Sequence, residues 1–253
     1  MEFIYKQTNI NYFKQGNGDH LVVFLHGWGA GSELFAPFAS CFDTNKYTML
    51  FIDFPPFGKS SQPNKVWTMQ DYFLSTLKII QNQQKEKTYN SLNIISHSFG
   101  GRVAILLASS GEIEIDKLVL IASAGIKPKR NLNYHYKVLK YKIIKKISPE
   151  QAAKMGSNDY KQLSTVMKST FSNIVNTDLT PNSKLITCKT LIIYGKNDKE
   201  TPIYMAKKLH KNIKYSQLII INNAGHFVYL EQFNIVLKYV SLFLNSWQNL
   251  FSN

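Results

Sequence analysis

Short apolar runs rich in β-branched residues alternate with longer segments of helical pattern along most of the chain. Continuous apolar runs, unlike alternating ones, are typical of strands that are buried on both faces of a parallel sheet. Two shorter runs near the N-terminus predict a hairpin over residues 3–5 and 9–13. The continuous runs predict six further strands, over residues 21–25, 47–52, 92–95, 117–122, 190–194 and 218–221.

Helical patterns fill the gaps between these runs. Thr68 is a suitable N-cap for a helix over 69–85, and Pro202 suits the first turn of another helix. Residues 99–110 are small and apolar enough for a buried helix, and 227–247 predict one C-terminal helix packed on the sheet. This alternation predicts an α/β fold with a mostly parallel, open sheet and helices on both faces.

The alternation of strands and helices stops over residues 127–184. This segment has a helical pattern, is polar and rich in lysine, and contains no run suited to a core strand. It is therefore interpreted as a helical insertion rather than as a second independent domain. We expect a core formed by residues 1–126 and 187–253, interrupted by an insertion over 127–186.

The composition adds an unusual charge balance to this picture. With 253 residues, 44% of them hydrophobic, the chain can bury a sizeable core. The net charge of +14 suggests nucleic-acid binding, but Arg102 and Arg130 are the only arginines, and arginine is the preferred reader of phosphates and guanine edges. No nucleic-acid-binding motif is present, so we predict no nucleic-acid partner. Residues 127–184 alone carry a net charge of +9. This charge either has a function or reflects a coding bias toward lysine.

The cysteine content and the N-terminal residues are used to predict the cellular compartment of the protein. Cys41 and Cys188 are the only cysteines and suggest no disulfide framework, which favours a reducing compartment. The first residues lack the apolar stretch of a signal peptide, and no apolar run approaches the ~20 residues that span a bilayer. These features predict a cytoplasmic protein without a membrane span.

The segment Ser96-His97-Ser98-Phe99-Gly100 joins a predicted strand to a predicted buried helix. A serine hydroxyl is a weak nucleophile that needs exposure, a neighbouring base and hydrogen-bond donors for an oxyanion. A sharp strand–helix turn exposes the central hydroxyl but crowds the positions two before and two after it, where Ser96 and Gly100 are small. Ser98 is therefore the predicted nucleophile, although Ser96 stands where the G-x-S-x-G motif has its first glycine.

Two later segments offer partners for Ser98. His226 follows the last predicted strand and is the candidate general base. Asp198 follows the strand before it and is the candidate for the carboxylate that orients His226, with Glu200 as the nearest alternative. His97, which directly precedes the nucleophile, is expected to point away from the site.

Two backbone N–H groups are predicted to form an oxyanion hole. One belongs to Phe99 and the other to Trp28, which lies in the glycine-rich turn after the strand over 21–25. His26, Gly27 and Phe227 are further candidates for the substrate pocket. Aromatic side chains of Trp28, Phe99 and Phe227 favour apolar acyl groups as substrates.

The order Ser98, Asp198, His226, with a His-Gly turn upstream, resembles the α/β-hydrolase superfamily over almost the whole chain. Residues 53–60 resemble the D-x-P-G-x-G-x-S loop of that family, with Pro56 in place of a glycine. The resemblance implies that the insertion is a helical cap over the active site. It also implies that Ser98 attacks an acyl carbon, that His226 relays the proton, and that no metal or organic cofactor takes part.

The residues and the resemblance together favour a serine hydrolase that cleaves a small-molecule carboxylic ester or thioester through an acyl-enzyme. The lysine-rich insertion leads to a sharper hypothesis, in which the substrate is anionic or linked to an anionic carrier. Proteins of this family also act as carbon–carbon bond hydrolases, lyases, perhydrolases or slow ligand receptors, and these alternatives stay open. A haloalkane dehalogenase is disfavoured because its nucleophile is a carboxylate, whereas this chain has Ser98.

Overall fold

An eight-stranded sheet forms the centre of the computed structural model, which describes residues 1–128 and 163–246. The six longest apolar runs all form strands of this sheet, and the N-terminal pair forms a hairpin. The strands are β1 (Glu2–Tyr5), β2 (Thr8–Gln15), β3 (His20–Leu25), β4 (Tyr47–Ile52), β5 (Ser91–His97), β6 (Lys117–Ile121), β7 (Lys189–Gly195) and β8 (Ser216–Ile221).

The strand order across the sheet is β1-β2-β4-β3-β5-β6-β7-β8. β1 pairs with β2, and β2 with β4, in antiparallel fashion, whereas β3 to β8 are all parallel to one another. The carboxyl ends of parallel strands meet at one edge of the sheet, where ligands bind in open α/β folds. The loops that follow β3, β5, β7 and β8 therefore converge at that edge.

Helices cover both faces of the sheet. A 3₁₀ turn (Ser32–Phe35) leads into the first helix, and neither was predicted from the sequence. Thr68 and Asp71 form a capping box at the start of the second helix, as expected for an N-cap. The helices are α1 (Ala36–Ala39), α2 (Met69–Glu86), α3 (Phe99–Ser110), α4 (Thr165–Asn176), α5 (Thr180–Ser183), α6 (Ile203–Asn212), α7 (Val228–Glu231) and α8 (Phe233–Asn245).

Two apolar layers sandwich the sheet. Successive side chains of a strand point to opposite faces, and β3 illustrates the result. Val23 packs in the layer formed with α2, α3 and α6, whereas Val22 and Phe24 pack in the layer formed with α1 and α8. Because both faces are buried, a strand such as β3 is apolar at almost every position, which confirms the interpretation of the continuous runs.

The predicted α/β class and mostly parallel sheet are confirmed. The strand predicted over 47–52 and the helix predicted over 99–110 have the bounds of β4 and α3. β5 extends two residues beyond its predicted end, to His97. β5 therefore ends at the residue before Ser98, and α3 begins at the residue after it.

The prediction of a single C-terminal helix over 227–247 is wrong. The chain leaves helical geometry at Gln232, with φ −128° and ψ 50°, so α7 and α8 are separate. The Glu231 carboxylate accepts hydrogen bonds from the backbone N–H groups of Gly225, at 2.7 Å, and Phe227, at 3.2 Å. These bonds tie α7 to the loop that carries His226, and residue 247 lies outside the described residues.

Most of the predicted insertion, residues 129–162, lies outside the described residues, so the division into core and insertion stays a prediction. Its C-terminal part is described and contains α4 and α5. α4 contacts the core, since the backbone N–H of Trp67 donates to the Thr170 hydroxyl at 3.0 Å. No helix in the described parts of the chain is long and apolar enough to cross a bilayer.

Candidate active site

Ser98 occupies a strained turn between β5 and α3. Its backbone has φ 49° and ψ −108°, a conformation that costs a residue with a side chain roughly 1–3 kcal/mol. Backbone hydrogen bonds on both sides hold it there. The Ser98 N–H donates to the Ile121 carbonyl at 3.0 Å, and the Ser98 carbonyl accepts from Ala124 at 2.9 Å. This turn places the Ser98 side chain at the carboxyl edge of the sheet, between β5 and α3.

Small residues flank this turn because the surrounding backbone comes very close. A Cβ atom on Gly100 would lie 2.1 Å from the carbonyl oxygen of Leu25, the last residue of β3. Ser96 is fully buried, and its hydroxyl donates to the Val119 carbonyl at 2.9 Å. A serine is therefore accommodated at the position of the usual glycine, because its hydroxyl has an acceptor within the sheet.

His226 lies between Ser98 and Asp198. Its Nε2 is 2.9 Å from Ser98 Oγ, and its Nδ1 is 2.9 Å from Asp198 Oδ2. A neutral imidazole with its proton on Nδ1 donates to the carboxylate and accepts the serine hydroxyl proton at Nε2. The structure thus brings together the three residues that the sequence assigned to catalysis, although 128 positions separate Ser98 from His226.

The Asp198 carboxylate is held by several donors besides His226. Its Oδ1 accepts the backbone N–H groups of Glu200 and Thr201, each at 2.9 Å, and the Thr201 hydroxyl lies 2.7 Å from Oδ2. Burial by itself raises the pKa of Asp198, but the hydrogen bonds from His226 and Thr201 outweigh it, so the pKa lies below its ordinary value. Asp198 therefore stays ionised at neutral pH.

Sequence reasoning missed Thr201. Its hydroxyl lies 2.7 Å from Asp198 Oδ2, 3.1 Å from the Ala122 carbonyl and 3.4 Å from His226 Nδ1. A hydroxyl residue three positions after a turn aspartate was the available signal, since such residues often bond back to the carboxylate. Thr201 is a positioning residue for Asp198.

Glu200, the alternative to Asp198 in the sequence, occupies a different place. Its Oε2 lies 3.4 Å from His226 Nε2, on the side of the imidazole that faces Ser98. Its side chain is 70% exposed, whereas the Asp198 side chain is fully buried. Asp198 therefore has the geometry of the orienting acid, and Glu200 adds a second carboxylate at the open side of His226.

The backbone N–H groups of Trp28 and Phe99 are available to an oxyanion. Within residues 1–128 and 163–246, neither N–H donates a hydrogen bond to a protein acceptor. Phe99 is the first residue of α3, so its N–H has no acceptor within the helix and lies at the positive end of the helix dipole. The loop of Trp28 approaches Ser98 closely, since a Cβ on Gly27 would lie 3.4 Å from Ser98 Cβ.

His26, a candidate for the substrate pocket, is buried with 1% of its surface exposed. Its Nδ1 contacts the Gly27 carbonyl at 2.7 Å, and its Nε2 accepts the backbone N–H of Phe54 at 2.8 Å. Burial lowers the pKa of His26. With both ring nitrogens bound to backbone, His26 joins the loops after β3 and β4 instead of facing the site.

The prediction that His97 points away from the site is wrong. Its ring centroid lies 4.9 Å from that of His226, and its Nε2–H donates to the His226 carbonyl at 3.0 Å. Burial, together with the neighbouring charge of His226, lowers the pKa of His97 to about 3. His97 is therefore a neutral donor that supports the loop of the candidate base.

Aromatic rings cluster around Trp28, in the loop that lies next to Ser98. The Trp28 ring contacts Phe57, Phe99 and Phe171, with centroid distances of 4.8, 5.5 and 5.2 Å. Phe171 belongs to α4, so the described part of the insertion packs onto this aromatic cluster. Phe227 is 39% exposed, and its ring centroid lies 5.6 Å from that of His226. No group of three or more His, Cys, Asp or Glu side chains in the described segments is arranged to hold a metal ion.

Comparisons with known proteins identify the family and the fold. A family model described as serine aminopeptidase, S33, matches residues 16–232. The chain is 25% identical to AB hydrolase superfamily protein YisY of Bacillus subtilis, over 89% of this chain and 91% of that protein. It is 23% identical to the Escherichia coli 2-hydroxy-6-oxononadienedioate/2-hydroxy-6-oxononatrienedioate hydrolase, over 89% and 87%. An esterase structure from Exiguobacterium antarcticum shares the fold, with TM-score 0.75 and 22% identity, covering 94% of this chain and 96% of that one.

Proposed function

Since this chain belongs to the α/β-hydrolase superfamily, through the family described as serine aminopeptidase, S33, we propose that it is a serine hydrolase that cleaves a carboxylic ester. One observation carries the proposal. Ser98 Oγ, His226 and Asp198 form a hydrogen-bonded chain with both contacts at 2.9 Å. That chain can remove a proton from the serine and stabilise the imidazolium that results.

In the proposed acylation step, Ser98 Oγ attacks the acyl carbon while His226 Nε2 takes the hydroxyl proton. The negative charge that develops on the carbonyl oxygen is stabilised by the N–H groups of Trp28 and Phe99, each such donor being worth roughly 3 kcal/mol of barrier. Asp198, held ionised by its donors, stabilises the imidazolium. His226 then passes its proton to the departing alcohol oxygen, and the acyl group is left as an ester of Ser98.

Deacylation uses the same groups in reverse. His226 Nε2 accepts a proton from a water molecule, whose oxygen attacks the acyl carbon of the Ser98 ester. The second tetrahedral intermediate collapses when His226 returns the proton to Ser98 Oγ, which releases the carboxylic acid and regenerates the serine. Every proton that leaves one group in this cycle is accepted by another, so the ester and water account for the products without a further reactant.

The aromatic cluster supports an apolar acyl group. Phe57 and Phe171 pack against Trp28, whose loop lies next to Ser98, and Phe171 comes from the predicted cap. Burying an apolar chain of substrate against these rings contributes about 0.8 kcal/mol per methylene. We therefore expect kcat/KM to rise with acyl-chain length until the pocket is full.

Three alternatives from the same superfamily use the same triad. A carbon–carbon bond hydrolase is favoured by the likeness to the Escherichia coli dienedioate hydrolase, while a thioester substrate would use the same steps as an ester. A slow ligand receptor would be labelled at Ser98 yet turn over esters poorly. Hydrolysis of matched oxygen esters, thioesters and a vinylogous diketone distinguishes these reactions by their relative kcat/KM.

The anionic or carrier-linked substrate remains a finer proposal. It rests on the net charge of +9 over residues 127–184, most of which lies outside the described residues. Steering by these lysines predicts that kcat/KM for an anionic ester falls as ionic strength rises. Replacing several of the lysines by glutamine should remove that salt dependence, and an unchanged dependence would refute the proposal.

Labelling with a fluorophosphonate probe tests the proposed nucleophile directly. The wild type should be labelled and should hydrolyse p-nitrophenyl esters, whereas Ser98→Ala should lose labelling and lower kcat by about 10⁴-fold or more. Ser40→Ala is the matched control because Ser40 is an exposed serine whose hydroxyl donates to the Pro37 carbonyl. Full turnover by Ser98→Ala would overturn the proposal.

A further inference from the structure

Glu200 places a second carboxylate beside the catalytic histidine, on the side opposite Asp198. Asp198 Oδ2 contacts Nδ1 of His226, whereas Glu200 Oε2 lies 3.4 Å from Nε2. In the resting state both Nε2 and the carboxylate are hydrogen-bond acceptors, so this contact becomes an ion pair only when His226 is protonated. The proposed mechanism of ester hydrolysis does not need a carboxylate at this position.

The backbone of Glu200 is fixed to the triad. Its N–H donates to Asp198 Oδ1 at 2.9 Å, and the N–H of Thr201 donates to the same oxygen. The backbone of Glu200 is therefore fixed next to the triad, and its side chain, 70% of which is exposed to solvent, reaches His226. Among the described residues, no lysine or arginine nitrogen lies within 4.0 Å of its carboxylate, so no such cation neutralises it by direct contact.

The position of this charge relative to the substrate follows from the chemistry of His226. Nε2 must come within hydrogen-bond distance of the leaving-group oxygen in order to protonate it. Because Glu200 Oε2 lies 3.4 Å from Nε2, groups one to three bonds beyond that oxygen come within about 5 Å of the Glu200 carboxylate. The carbonyl oxygen on the acyl side of the bond is directed toward the N–H groups of Trp28 and Phe99.

A charge on the leaving group therefore interacts with Glu200. For two unit charges about 5 Å apart, Coulomb's law gives roughly a fourfold effect at the dielectric constant of water and a few hundredfold at an effective value of 20. Because Glu200 is largely exposed, solvent screening keeps the effect at the lower end of this interval, at about fourfold. A cation is favoured by that factor, and an anion is disfavoured.

We propose that Glu200 is a specificity-determining residue that selects esters whose leaving alcohol carries a cationic group, such as a quaternary or protonated amine. This inference rests on the proposed function. The preference for a cation is opposite to the preference for an anion that the lysine-rich insertion predicts, but the two groups of charges act over different distances. The insertion charge acts on the approach of a substrate, whereas Glu200 acts within a few bonds of the bond that is cleaved.

An isosteric pair of esters isolates the charge. Choline butyrate and 3,3-dimethylbutyl butyrate have leaving groups of nearly equal shape, but only the first is cationic. Acid release in a pH-stat gives kcat/KM for each, and 3-(butyryloxy)propanoate supplies an anionic leaving group. We expect the wild type to favour the cationic over the neutral ester about fourfold, and the anionic ester to be the slowest.

Three variants assign that preference to Glu200. Glu200→Gln should bring the ratio of cationic to neutral ester close to one, and Glu200→Lys should invert it. Glu112→Gln is the matched control, because Glu112 is an exposed glutamate beyond the far end of α3, a helix of 12 residues that begins beside Ser98. That helix separates the two sites by about 18 Å, so the control should keep the wild-type ratio.

The outcomes separate this inference from the proposed function. If Glu200→Gln slows both esters equally and leaves their ratio unchanged, Glu200 acts on His226 rather than on the substrate, and the inference is overturned. A wild type that is labelled at Ser98 and hydrolyses both butyrates at equal rates also overturns it, while the proposed function stands. A wild type that is neither labelled nor active overturns both.

Discussion

Replacing Thr201 by valine tests how the Asp198 carboxylate is kept ionised. The Thr201 hydroxyl lies 2.7 Å from Asp198 Oδ2 and 3.1 Å from the Ala122 carbonyl. A carboxylate is the stronger acceptor, so the hydroxyl proton is directed to Asp198. Valine fills nearly the same volume but has no donor, so the carboxylate loses a hydrogen bond while the packing changes little.

The size of the effect follows from the charge of the acceptor. A hydrogen bond to a charged group contributes about 1.5–3 kcal/mol to stability. In a domain of this size, each kcal/mol shifts Tm by about 2–4 °C, so Thr201→Val should lower Tm at pH 7 by about 3–12 °C. The same substitution should raise the pKa of Asp198, because one of the hydrogen bonds that lower it is removed.

The loss of stability caused by Thr201→Val should depend on pH and be larger at neutral than at acidic pH. Because the folded-state pKa of Asp198 is depressed, its contribution to stability is fully present above the unfolded value of about 3.9 and is lost as the pH falls through the folded value. The difference in stability between the wild type and Thr201→Val should therefore be largest at neutral pH. It should shrink below about pH 4, where the carboxylate becomes protonated.

Thermal unfolding followed by circular dichroism, in steps from pH 7 to pH 3, measures this difference. Thr76→Val is the control, since the buried Thr76 hydroxyl donates to a neutral acceptor, the Tyr72 carbonyl, at 2.7 Å. Its loss of stability should not vary with pH. If Thr201→Val destabilises as much at pH 3 as at pH 7, the reasoning that its hydroxyl supports an ionised Asp198 is refuted.

Two further predictions concern the turn of Ser98 and the loop of His226. Gly100→Ala should destabilise the protein by about 3 kcal/mol or more, because its Cβ would lie 2.1 Å from the Leu25 carbonyl oxygen; an unchanged Tm would contradict this close approach. His97→Phe removes the donor to the His226 carbonyl, and an unpaired buried carbonyl costs about 1–3 kcal/mol. Because this carbonyl belongs to the loop that positions His226, we expect the substitution to lower kcat/KM about tenfold. Because the pKa of His97 is about 3, the pH profile of the wild type between pH 5 and 9 should contain no step from His97, and such a step would argue against its neutral state.

The strands of the core could be predicted because burial on both faces leaves a local mark. β4 and β3 are apolar at nearly every position, and such runs are visible without knowledge of their partners. The C-terminal helix shows the limit of this reasoning. Its apolar pattern continues through Gln232, but hydrogen bonds from the loop of His226 to Glu231 end the first turn, and those bonds exist only in the folded chain.

The residues of the candidate site also include some that the sequence could predict and some that it could not. Ser98, Asp198 and His226 could be proposed from the sequence because each follows a predicted strand, and the carboxyl ends of parallel strands meet at one edge. Glu200 and Thr201 flank the same strand end, yet their sequence positions do not say which nitrogen of His226 a side chain approaches. The turn of the backbone around Asp198 decides that Thr201 supports the buried side and Glu200 faces the open side.

By itself, the sequence determined the core strands, the order of the candidate catalytic residues and the turn that carries Ser98, because apolar periodicity and small residues at crowded positions are local constraints. Only the tertiary structure decided which side chains meet. His26 and His97 lie in motifs as suggestive as that of His226, but folding binds both to backbone groups and leaves His226 beside Ser98. The physical reason is that hydrogen bonding and burial at this edge depend on segments more than 100 residues apart, whose distances no local pattern records.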